Sequence, residues 1–184
     1  MRHPRIVRLL HATAAMVALL LSGCVAASKY NSMIQQRDAL ETSLRAEISA
    51  EQVKIEELEN GIRVRMTDDL LYVPGSVELH PKGRAALSKV AGQLASMTAQ
   101  GYDIDVVGNT DDVPVGPKLA ERYPTNWELA GARAAVVVRF LQEQGIDPTK
   151  LDAISAGQYH PIAPNDSASG RARNRRTDLL LRPH

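Results

Sequence analysis

Between residues 53 and 182 the apolar residues switch repeatedly between strand-like alternation and helical spacing. That switching confines the chain to a sheet covered by helices. Val53 and Ile55 alternate with polar residues, Asn60-Gly61 follows, and Ile62, Val64 and Met66 alternate again. Asn-Gly between two alternating runs predicts a hairpin, because both residues tolerate positive φ. The competing reading lets the preceding helix run on to Glu59, with Asn60-Gly61 as its cap. Leu87, Val90, Ala91, Leu94 and Met97 recur at helical spacing from Pro81, a first-turn proline, to about Thr98. Ile104, Val106 and Val107 read as a strand ending at Gly108, before a long loop with Pro114, Gly116, Pro117 and Pro124. Thr125 and Glu128 then make a capping box that opens a second helix, which runs to about Gln144 and stops at Gly145. Strands are expected at 151–157 and 177–182, with a short helix at 166–173. The expected fold class is α/β (α+β): a two-layer sandwich of a small mixed β-sheet and two main helices, after an N-terminal helical stalk.

The first 24 residues read as an address and an anchor. Arg2, Arg5 and Arg8 precede an almost wholly apolar run from Leu9 to Leu21. That run is shorter than the roughly 20 residues a membrane span needs, and it fits a signal-peptide core. Leu21-Ser22-Gly23-Cys24 follows, and Cys24 is the sole cysteine. These residues resemble the lipobox of bacterial lipoproteins, in which the thiol is acylated and the preceding peptide removed. Val25 after the Cys resembles lipoproteins sorted to the outer membrane, on its periplasmic face. The expected domains are therefore a signal peptide at 1–23, a lipid-anchored stalk at 24–52 and a globular domain at 53–184. Heptads through the stalk place Ile34, Glu41 and Ile48 on one seam position and Arg37, Leu44 and Glu51 on the other. Charges interrupt that seam, so a helical spacer is expected, open to self-association or a protein partner. A net charge of +1 gives no global pull towards nucleic acid.

One residue on the second helix breaks its pattern. Arg133 lies within an apolar stripe of Leu129, Ala132, Val136, Val137 and Phe140, with Asn126 two turns earlier on the same side. A guanidinium facing inwards must be paired. Periodicity by itself favours a structural Arg, tied to an internal Asp or to backbone carbonyls.

Four blocks of sequence add a second reading. Gly75-Ser76-Val77-Glu78-Leu79, Gly108-Asn109-Thr110-Asp111-Asp112-Val113-Pro114-Val115, Tyr123-Pro124-Thr125-Asn126-Trp127-Glu128-Leu129-Ala130-Gly131-Ala132-Arg133-Ala134 and Gly170-Arg171-Ala172-Arg173-Asn174-Arg175-Arg176 occur in this order. Together they resemble the OmpA-like (OmpA/MotB) peptidoglycan-binding family over roughly residues 62–182, and the MotB branch in particular. The resemblance implies non-covalent binding of the meso-diaminopimelate in the peptidoglycan stem peptide. It implies that Asp111 faces the ligand ammonium and Arg133 its carboxylate, a bidentate, charge-assisted pairing. Thr110 and Asn126 are implied as further hydrogen-bonding residues and Arg175 as the residue closing the pocket. Arg176 is expected on the other face, because neighbours in an extended chain alternate. The family usually has His where this chain has Asn109, and altered local packing with little loss of binding is expected. Trp127 stays unassigned between sugar stacking and core.

The resemblance implies no cofactor and no metal. No Ser has Lys three residues on, and His80, His160 and His184 lack ligand spacing, so neither a penicillin-binding-type peptidase nor a zinc hydrolase is expected. The short apolar run carries no Asp or Glu, against a flagellar stator role. The expected function is a tether from membrane to wall. The alternative is a wall-docking subunit of a larger envelope machine, recruited through the stalk. Cys24→Ala should leave an unprocessed precursor that takes up no labelled palmitate; normal labelling and fractionation of that variant would contradict the lipobox reading.

Overall fold

The computed structural model describes residues 30–184. The expected signal peptide and lipobox, with Cys24, lie outside the described residues. Residues 30–43 are helical (α1), and a compact unit containing the rest of the chain begins at Arg37. Within that unit Leu40 and Leu44 are fully buried, and Gln93 donates to the Ala39 carbonyl and to Ser43. A short α2 (Arg45–Ser49) follows, with Glu47 paired to Lys89 at 2.5 Å. Among the described residues no helix is long and apolar enough to cross a membrane.

The hairpin forms as β1 (Val53–Leu58) and β2 (Gly61–Thr67), but its turn is not the expected one. Leu58 pairs with Gly61, so Glu59 and Asn60 make the turn, and neither has positive φ. Gly61 is needed for a different reason: at φ 145° its Cβ would meet the Leu181 carbonyl oxygen at 2.1 Å. A close approach of β2 to the last strand, rather than a primed turn, fixes that glycine.

A one-turn α3 (Asp68–Leu71), which the residue pattern did not suggest, leads to α4 (Pro81–Ala99). Next come β3 (Tyr102–Asn109), a short α5 (Pro117–Ala120) in the proline-rich loop, and α6 (Asn126–Glu143). The capping box of Thr125 and Glu128 is present in full. β4 (Leu151–Gly157), α7 (Ala168–Asn174) and β5 (Arg176–Pro183) complete the unit.

The five strands order as β1-β2-β5-β3-β4. All pairs are antiparallel except β3 with β4, whose parallel pairing is made possible by α6 crossing between them. Strand register places Leu181 between Ile62 and Ile104, and Leu179 between Val64 and Val106. These side chains are buried, as are Leu87, Val90 and Leu94 of α4 and Ala130, Ala134, Val137 and Leu141 of α6. The expected two-layer sandwich with a mixed sheet is thus the observed fold. Gly108 brings α6 close, since a Cβ there would lie 2.2 Å from the Ala130 carbonyl oxygen. That contact sets the end of β3 against the first turns of α6, where the candidate residues lie.

Candidate functional site

β3 ends at Asn109, and Thr110 and Asp111 continue from it into the loop. The Thr110 amide donates to the Gly157 carbonyl at 2.9 Å, and its hydroxyl to the Asp111 carbonyl at 2.8 Å. Asn109 is buried and its amide donates to the Val107 carbonyl at 3.1 Å, so the residue that replaces histidine is satisfied locally. The Asn126 Nδ2 donates to Gln158 Oε1 at 2.8 Å, to the Val113 carbonyl at 3.0 Å and to the Asp111 carbonyl at 3.3 Å. Thr110 and Asn126 therefore hold the backbone that carries Asp111.

The Asp111 carboxylate is itself held at both oxygens. Oδ1 accepts from the Val113 amide at 3.2 Å, and Oδ2 from Arg175 Nη1 at 2.8 Å. Arg175 follows the last residue of α7, and a third of its side chain stays exposed. Arg176 takes other partners, Asp178 at 3.2 Å and the carbonyls of Asn174 and His160.

Arg133 makes the structural contacts that its place in an apolar stripe suggests. Its Nη1 pairs with Asp68 Oδ2, and Nε and Nη2 reach the Ser76 carbonyl at 3.4 and 3.3 Å. The guanidinium also lies over the Tyr72 ring, 5.0 Å from its centroid. The Tyr72 hydroxyl shares a 2.9 Å hydrogen bond with Thr177. Arg133 thus joins α3, the segment around Ser76 and α6.

Asp68 is the residue that sequence reasoning missed. Asp68 and Asp69 stand in the first turn of α3, and nothing in their local sequence points to a partner on α6. In the fold the Asp68 amide donates to the Arg175 carbonyl at 3.1 Å, while its carboxylate pairs with Arg133. Its other carboxylate oxygen is buried with no hydrogen-bond partner among the described residues. Burial pushes the Asp68 pKa up to about 6, pulled back by Arg133 and then Arg175, with Asp69 and Asp111 raising it slightly further. Burial likewise raises the Tyr72 phenol, and the Asp68 charge adds to it. Asp68, Arg133, Arg175 and Asp111 are therefore one electrostatic cluster of two acids and two bases. Asp111 and Arg133 meet through Asp68 and Arg175 rather than directly.

The comparisons with known proteins agree with this architecture. The OmpA family model matches residues 71–175, and the chain belongs to that family. Outer membrane protein A of Bordetella avium is 39% identical over 103 residues, covering 56% of this chain and 48% of the relative. A putative MotB like protein from Desulfovibrio vulgaris superposes with a TM-score of 0.73 at 28% identity, covering 84% of this chain and 93% of that one. The cell wall anchor of the T6SS from Pseudomonas aeruginosa gives a TM-score of 0.70 at 29% identity, covering 79% and 97%. The chain spans about half the length of the curated relatives it matches first.

The buried carboxyl of Asp68 makes stability depend on pH. Its folded pKa of about 6 lies above that of an unfolded aspartate, about 3.9, so folding retains the proton. That contribution is complete below about pH 4 and is lost as pH rises through about 6. The stability of the wild type relative to Asp68→Asn should accordingly fall by on the order of 2–3 kcal/mol between about pH 4 and pH 7, measured by denaturant unfolding. A difference that stays flat across this range would contradict the assignment.

Proposed function

We propose that this chain is a non-enzymatic outer-membrane lipoprotein, anchored through Cys24, that binds peptidoglycan through the diaminopimelate of its stem peptide. The observation that carries this reading is the four-charge cluster. Asp111 and Arg133, the two residues the family resemblance puts on the ligand, are coupled there through Asp68 and Arg175. The cluster is neutral overall, which suits a zwitterion: the ligand exchanges one ammonium and one carboxylate for contacts the protein already makes. Its carboxylate takes the Arg133 donors now spent on long bonds to the Ser76 carbonyl. Its ammonium takes Asp111, from which the partly exposed Arg175 can swing towards the ligand. Arg175 then closes the site over the bound end. Membership of the OmpA family supports the reading, and the Cys24 motif supports the anchor.

A second reading has its own support. Likeness to the cell wall anchor of the T6SS favours a wall-docking subunit of a larger envelope assembly, with the stalk as its partner site. Both readings share the same wall-binding site and differ only in what the other end of the chain holds.

Co-sedimentation of the full-length protein in detergent with purified sacculi tests the shared part. Asp111→Ala should lose about 2–5 kcal/mol of binding while remaining folded, as a thermal melt would show. Walls with Lys in place of diaminopimelate lack the distal carboxylate and should retain the wild type far more weakly. Equal retention on both wall types would sink the proposed mechanism.

A further inference from the structure

Two aromatic side chains beside the cluster are left unused by the contacts described so far. Trp127 is 46% exposed and Tyr159 is 59% exposed, although large aromatic rings are ordinarily covered. They stack on each other, with ring centroids 5.2 Å apart and an interplanar angle of 28°. The indole also rests on the end of β4: a Cβ on Gly157 would lie 3.2 Å from Trp127 Cδ2. The Ser155 hydroxyl fixes the backbone beneath by donating to the Trp127 carbonyl at 2.8 Å. The rings are therefore held in place from below and alongside while remaining open to solvent.

Their position relative to the cluster is set by two neighbours. Trp127 follows Asn126 and Tyr159 follows Gln158, and Asn126 donates to Gln158 at 2.8 Å. The same Asn126 amide group touches the Asp111 carbonyl. The stacked pair thus sits one residue away, on each side, from the hydrogen bond that secures the Asp111 loop.

We propose that Trp127 and Tyr159 form a stacking platform for a pyranose ring of the glycan strand, adjoining the stem-peptide site; this rests on the peptidoglycan-binding reading above. The covalent structure of the polymer supplies the argument for this occupant. A stem peptide is bonded to a sugar of the glycan, and diaminopimelate stands two residues further along. A ligand anchored at the cluster therefore carries a sugar ring on a short covalent tether, which with the γ-linked glutamate, the lactyl link and the diaminopimelate side chain extends on the order of 15–20 Å from its bound end. One face of a pyranose presents C–H groups, which pack on the electron-rich face of an aromatic ring. A rigid pair of rings pays little conformational entropy to offer that surface, unlike a flexible aliphatic patch.

Calorimetric titration of the full-length protein in detergent with two probes tests this. One probe is the tripeptide L-Ala–D-Glu–meso-diaminopimelate, and the other is the same peptide carrying its N-acetylglucosamine–N-acetylmuramic acid disaccharide. The wild type should bind the disaccharide conjugate about three- to tenfold more tightly than the free tripeptide. Trp127→Ala should abolish that gain and leave the tripeptide Kd unchanged, while Trp127→Phe should restore part of the gain. Equal weakening of both probes by Trp127→Ala would overturn the platform, because the indole would then only brace the loop through Asn126. A wild type that binds both probes equally would overturn the platform alone. A wild type that binds neither would overturn the peptidoglycan-binding reading and the platform with it.

Discussion

The buried pair of Arg133 and Asp68 is the interaction on which the site depends. Each charge would be costly to bury without the other, and removing one partner of such a pair typically costs about 3–5 kcal/mol. The pair therefore specifies more than a contact between two side chains. It requires α3 to turn back at Asp68, the chain near Ser76 to present a carbonyl, and α6 to lie at the depth that brings Arg133 into reach. Tyr72 completes the arrangement by lying against the guanidinium and bonding to Thr177 on β5. A charge in an apolar stripe thereby becomes a device that holds α3, α6 and β5 in register.

In the proposed binding, the same pair leaves hydrogen-bonding capacity for a ligand. An Arg–Asp pair alone would satisfy itself and have nothing left to offer. Here Arg133 retains donors on long, weak contacts, and Asp68 retains a carboxylate oxygen without a partner among the described residues. Arg175 and Asp111 form the outer half of the cluster, with Arg175 the more exposed partner. The inner half is deep and the outer half is the more exposed. In the proposed binding step this division lets a zwitterion enter without leaving any charge unpaired.

Much of the architecture was legible in the residue pattern because its causes are local. Thr125 and Glu128 cap α6 within one turn, and the period of Leu87, Val90 and Leu94 reflects one helix face. The hairpin was legible too, yet its turn was not, since Gly61 is dictated by Leu181 on a strand far along the chain. The site follows the same division. Asp111, Arg133 and Arg175 were reached through family resemblance, and the need for a partner to Arg133 through its place in an apolar stripe. The identity of that partner was hidden, because Asp68 lies 65 residues away and nothing in its local sequence points to α6. The exposure of Trp127 was equally hidden, since only the fold stacks it on Tyr159.

The central claim is that Arg133 and Arg175 exchange protein partners for the ligand. Nitrogen-15 NMR of the guanidinium Nε–H groups, during titration with the diaminopimelate tripeptide, tests it most directly. The account predicts that the Arg133 and Arg175 signals move saturably with a common midpoint, while that of Arg176, held by Asp178, stays in place. An Arg133 signal that stays fixed while the tripeptide binds would show a purely structural Arg and contradict the account.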